Sequence, residues 1–139
     1  MLPIAQVCCS YLDSQKIKYR IVGEREGHTF VKIVYSVLVS PDMPVPFEFF
    51  LEFYPDEESV FIRCLFVRSE ERQSAAIVFA NEQNKINRFA RFVYYSEFQT
   101  LDLEADVTLE RSSTGRTLHK TLNHMVDICE SAFPEWAKW

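Results

Sequence analysis

From Leu101 to Glu110 the chain alternates without a break, with Leu101, Leu103, Ala105, Val107 and Leu109 set against Asp102, Glu104, Asp106, Thr108 and Glu110. Successive side chains of a strand point to opposite faces, so this pattern specifies a strand with one buried and one solvated face. A helix cannot use it, because period two scatters the apolar residues around a turn of 3.6. The same period governs a longer, earlier region. Val31, Ile33, Tyr35, Val37 and Val39 share one face, with Phe30, Lys32, Val34, Ser36 and Leu38 on the other. Phe47, Phe49, Leu51 and Phe53 then face away from Glu48, Phe50, Glu52 and Tyr54, and Val60 to Val67 reads as a further strand. Short connections between these runs predict an antiparallel meander.

Helical spacing surrounds the strands. Ile4, Val7, Cys8, Tyr11 and Leu12 predict a first helix over Pro3 to Ser14, with proline allowed in its first turn. Lys18 to Val22 reads as a short strand, followed by a turn over Gly23 to Gly27. Pro41, Pro44 and Pro46 predict a loop over Ser40 to Pro46, and Pro55 to Glu58 predicts a turn. Ser69 to Ser74 is polar, and Ser74 is the expected N-cap of a middle helix over Ala75 to Ile86. Phe89 to Tyr95 follows as an aromatic-rich strand. Leu118, Leu122, Met125, Cys129 and Phe133 mark the last helix, which Pro134 is expected to end before Trp136 and Trp139. The expected order is α-β-β-β-β-α-β-β-α in one α+β domain over residues 1–139, with an antiparallel sheet of about five to six strands.

Composition then narrows the chemistry. The three glycines, Gly23, Gly27 and Gly115, lie far apart, so no segment offers the clustered backbone N–H groups of a phosphate-binding loop. P-loop and dinucleotide-binding folds are excluded, and no cofactor is expected. A net charge of −5 with dispersed basic residues argues against nucleic acid and anionic membrane as partners. Cys8, Cys9, Cys64 and Cys129 lie in apolar patterns with no C-x-x-C spacing, which predicts free buried thiols in a reducing compartment. The N-terminus lacks a signal-peptide pattern, and no apolar run approaches the ~20 residues of a membrane span. A cytoplasmic location is expected.

Catalytic constellations are sparse. His119 and His124 are five residues apart, about 140° around a helix, so they do not form a zinc-binding pair. His124 and Asp127 can share a helix face, whereas Cys129 belongs to the apolar stripe. Asp102, Glu104, Asp106 and Glu110 share a strand face and are expected to be solvated, with Arg91 as a weak partner. Asp42, Asp56, Glu57 and Glu58 lack calcium-loop spacing. Ser112 to Thr117 reads as a helix start capped by Ser113 or Thr114. Asn81, Asn84, Asn87 and Arg88 read as a structural helix-to-strand connection. No catalytic or metal-binding residue is expected.

The informative surplus is apolar. Phe50, Phe61, Leu65, Val67, Phe89, Val93 and Tyr95 fall on faces opposite the regular core, and three helices cannot easily cover both sides of a six-stranded sheet. Phe50, Phe61, Leu65, Phe89, Val93 and Tyr95 are therefore the candidate surface for a protein partner or a second copy. The alternative is a small-ligand binder or enzyme with a pocket between the last helix and the sheet, using His124, Asp127 or Cys129.

Two stretches carry a family resemblance. Phe79-Ala80-Asn81-Glu82-Gln83-Asn84 continues through Asn87-Arg88-Phe89-Ala90-Arg91-Phe92, placing Asn-x-x-Asn at the end of the middle helix before a basic-aromatic strand. Leu103 to Leu109 then feeds the last amphipathic helix. In these motifs and in element order the chain resembles the YbjN-like family of bacterial regulators, similar in fold to class I chaperones of type III secretion. The resemblance implies a twisted antiparallel sheet flanked by helices, frequent homodimers and no known catalytic residues. Expected function is a non-enzymatic protein-interaction module, chaperone-like or regulatory, although fold alone does not fix function.

Overall fold

A computed structural model describes every residue of the chain except Arg111. Its elements run α1 (Pro3–Ser14), β1 (Arg20–Arg25), β2 (His28–Ser40), β3 (Met43–Phe53), β4 (Ser59–Arg68), α2 (Gln73–Ile86), β5 (Arg91–Tyr95), β6 (Thr100–Thr108) and α3 (Thr114–Ala137). This is the expected α+β order. The six strands form one antiparallel sheet in the order β1-β2-β3-β4-β6-β5. The crossover through α2 carries the chain outward to β5, and β6 returns into the gap between β5 and β4.

One face of the sheet supplies the core. Val31, Ile33, Phe47, Phe49, Leu51, Phe53, Ile62, Cys64, Phe92, Leu101 and Leu103 are buried there with the apolar stripes of all three helices. Leu118, Leu122, Met125 and Cys129 of α3 are fully buried, as their spacing predicts. Phe79 of α2 packs edge-on against Phe92 and Trp136 and stacks on Phe66, tying α2 to the sheet and to the end of α3. All four cysteines are free and buried.

Local departures from the expected boundaries have identifiable causes. The loop over Ser40 to Pro46 is reduced to Pro41 and Asp42, because β3 already begins at Met43. Pro44 and Pro46 fit a strand here because β3 pairs with β4 only from Phe49 onward, so no neighbour on that side needs their missing N–H. The first strand begins at Arg20 and runs through Gly23 at a bulge, with a tight turn at Glu26 and Gly27, both at positive φ. Helix α2 starts at Gln73 rather than after Ser74, and no described side chain caps it. Arg72 fixes that start instead, stacking over the Trp136 ring at 4.4 Å and donating to the Trp139 carbonyl. Pro134 does not end α3. It removes one bond near the C-terminus, while Trp136 keeps the last turn against Phe79 at 5.3 Å. Ser113 stands at the α3 N-cap without capping the backbone, its Oγ accepting from the Thr117 hydroxyl at 3.3 Å, and Thr114 Oγ1 instead donates to the Glu110 carbonyl at 2.7 Å.

Candidate functional site

All three helices lie on the core side, so among the described residues the opposite face of the sheet has no second layer. Lys32, Phe50, Arg63, Glu104 and Arg91 are register partners in series across β2, β3, β4, β6 and β5. A second row runs Glu52, Phe61, Asp106, and a third Leu65, Asp102, Val93. Lys32 and Arg63 approach the Phe50 ring, each at 5.8 Å, so this aromatic is gripped by two cations. Lys32 also pairs with Glu48 at 2.9 Å, and His28 Nδ1 lies 2.9 Å from Glu52. Phe50, Phe61, Leu65, Val93 and Tyr95 all belong to this face and are half-buried between the charges.

The carboxylates of β6 overturn one expectation. Asp102 and Glu104 are not solvated: they retain only 2% and 3% of their exposure. Alternation identifies their face, but whether that face meets water depends on neighbouring strands. Here β6 is interior, and Asp102 lies between its register partners Leu65 and Val93. Tyr95 Oη donates to Glu104, and Arg91 reaches Glu104 at 3.9 Å and Asp106 at 3.6 Å. Arg63 Nε is 3.7 Å from Asp102 Oδ2, while Asp102 Oδ1 has no hydrogen-bond partner among the described residues. Burial raises the Asp102 carboxyl above the ordinary carboxylate value, against the opposing pull of Arg63. Burial and the Glu104 carboxylate push the Tyr95 phenol up to about 12. Arg63 is not among the residues that the sequence pattern singles out. Its signal was present in the alternation of β4, where it shares the face of Phe61 and Leu65.

Phe89 stands apart from this cluster. It precedes β5, is 74% exposed, and stacks on His124 at 5.1 Å. Together with Ile86, Arg88 and Asp127 they line a groove of about 480 Å³ between the end of α2 and α3. The groove lies on the helical side, and Cys129 does not join it, since its Sγ is buried 3.9 Å from Cys64 Sγ. The asparagine motif acts mainly through Asn84. Its carboxamide accepts from the Phe92 N–H at 2.7 Å and donates to the Phe92 carbonyl at 2.9 Å, as another strand would. Asn87 donates to the Gln83 carbonyl at 3.0 Å, and Asn81 and Arg88 are exposed.

A larger cavity, near 730 Å³, opens between the start of α1, the β3–β4 turn and the end of β6. Its acidic rim includes Asp56, which accepts bonds from the Glu58 and Ser59 N–H groups and the Ser59 hydroxyl and thereby holds the turn. Among the described residues no group of three or more His, Cys, Asp or Glu side chains could hold a metal ion. No described helix is long and apolar enough to cross a membrane. No family model, curated protein or solved structure matches the chain.

Proposed function

We propose that this chain is a non-enzymatic protein-interaction module of the YbjN-like kind, chaperone-like or regulatory. It works in the cytoplasm, self-associates, and receives a protein partner on the helix-free face of its sheet. The observation that carries this reading is the composition of that face. Phe50, Phe61 and Tyr95 stand half-buried among Arg63, Arg91 and Lys32, with no described helix above them. Aromatic and arginine side chains are the groups that dominate binding energy at protein interfaces. They offer apolar area held in place by charges that a partner's polar rim can match.

The test is capture of a partner from the native cell with the wild-type chain as bait, followed by binding of the purified partner to variants. Phe61→Asp is expected to weaken binding by about 2 kcal/mol or more, the size of an interface hot spot. Far-UV circular dichroism should stay unchanged, with only a modest fall in the thermal midpoint, because Phe61 is outside the core and the new carboxylate lies opposite Glu52 and Asp106. Phe89→Asp, on the helical side, is expected to bind as the wild type does. Undiminished binding by Phe61→Asp and by Phe50→Asp, each with the fold intact, would overturn the reading.

A further inference from the structure

The sheet ends in several edges, and among the described residues all but one are blunted or partly covered. Strand β5 is capped by Asn84, whose carboxamide satisfies both backbone groups of Phe92. Strand β1 is short, bulged, and carries Arg20, Glu24 and Arg25. The part of β3 that extends past β4 holds Pro44 and Pro46. Charges, bulges, prolines and covering groups are the means by which proteins stop edges from pairing. Over its second half strand β2 has no charge, no proline and no described covering group, and its one irregularity falls at the very end, between Leu38 and Ser40. Strand β1 pairs with it only as far as Lys32, and from Ile33 to Ser40 no described residue bonds to its outer side. That stretch reads Ile-Val-Tyr-Ser-Val-Leu-Val-Ser, with no charge and no proline.

The prolines of β3 determine which groups the open edge presents. Leu38 pairs with Pro44, and Ser36 with Pro46. Proline cannot donate, so these are the pairs that exchange no hydrogen bonds, and such residues turn their N–H and C=O outward. Ser36 and Leu38 therefore aim their backbone groups at the open edge. Val34 and Leu38 are 50% and 60% exposed, and both point to the helix-free face.

We propose that this edge is a self-pairing site, where β2 of a second copy adds antiparallel to join two six-stranded sheets into one. This rests on the reading of the chain as an interaction module and specifies where and how two copies meet. The occupant is argued from self-complementarity. A two-fold axis at Val37 pairs Ser36 with Leu38 of the copy, so each outward N–H meets an outward C=O. It keeps like faces together, because partners two residues apart have the same parity. It brings the two Leu38 side chains into diagonal contact, flanked by Val34 of each chain. Pairing also stops short of Lys32, where β1 already occupies the column. A foreign strand would gain the backbone bonds without this two-fold match.

The experiment is sedimentation equilibrium of the intact chain across a wide concentration range, with Ser36→Pro and Leu38→Lys. Neither substitution removes a bond within one chain, since both N–H groups point outward. The wild type is expected to dimerise, and each variant to raise the dissociation constant about 100-fold or more with unchanged circular dichroism. As an independent readout, a short bismaleimide should cross-link Leu38→Cys between chains and should not cross-link Ile77→Cys, exposed on α2. A wild type that stays monomeric throughout overturns the proposal. So does a dimer that persists in both edge variants, a result that leaves capture on the Phe61 face untouched.

Discussion

Gly115 looks dispensable in sequence, one residue of a polar Ser-Ser-Thr-Gly run. In the structure it is the buried contact where α3 crosses α1, and a Cβ there would overlap Cβ and the ring of Tyr11. Two effects oppose each other in Gly115→Ala. Alanine favours the helix by up to about 1 kcal/mol, whereas overpacking costs about 1–3 kcal/mol. Tyr11 Cβ is tied to the α1 backbone and cannot swing away, so overpacking should win, and urea denaturation should show a net loss of about 1–2 kcal/mol. Asn84 presents the converse case, an exposed polar residue with structural weight. Asn84→Ala leaves the Phe92 backbone groups without their partner and should cost about 1–3 kcal/mol, with the loss read as faster amide exchange at Phe92 before global unfolding. A sequence shows asparagine near a helix end. It does not show that the carboxamide replaces a missing strand.

Element identity was legible because periodicity depends only on which faces are buried. The alternation in β2, β3 and β6 and the stripe of α3 all appear where the pattern places them. Boundaries were less legible because they depend on distant partners. Arg72 starts α2 through tryptophans more than sixty residues away, and Trp136 carries α3 past Pro134. The prolines of β3 predict a loop for the same reason: their tolerance depends on β4 being absent beside them. This gives an element-scale expectation. Replacing Pro44 and Pro46 with threonine restores two backbone donors on this edge. The variant should fold with the same circular dichroism but aggregate faster in light scattering, because the edge becomes a template for pairing. An unchanged aggregation rate would show that the gap beside β4 is closed by something other than proline.

At the scale of the molecule, the crossover through α2 makes β6 an interior strand and so decides what water can reach. No alternation pattern contains that information, which is why Asp102 and Glu104 were expected in solvent. The consequence is measurable as opposite pH responses at two carboxylates. Burial raises Asp102, so the folded state binds its proton more tightly than the unfolded chain does. Its contribution to stability is best at low pH and declines as pH rises from about 3.8 through the raised value. Asp56 is lowered by backbone and hydroxyl bonds to Glu58 and Ser59, so its contribution is present at neutral pH and is lost as pH falls through the lowered value. Asp102→Asn should therefore match the wild type in acid and gain stability toward neutral pH, by about 1 kcal/mol for an acceptor otherwise left unpaired. Asp56→Asn should lose stability at neutral pH and converge with the wild type in acid. Urea midpoints across this range separate the two slopes. If Asp102→Asn were instead less stable at neutral pH, the Arg63 pairing would outweigh burial. The helix-free face would then be a self-satisfied ion network, and a partner would have to break that network before it could use Phe50 and Phe61.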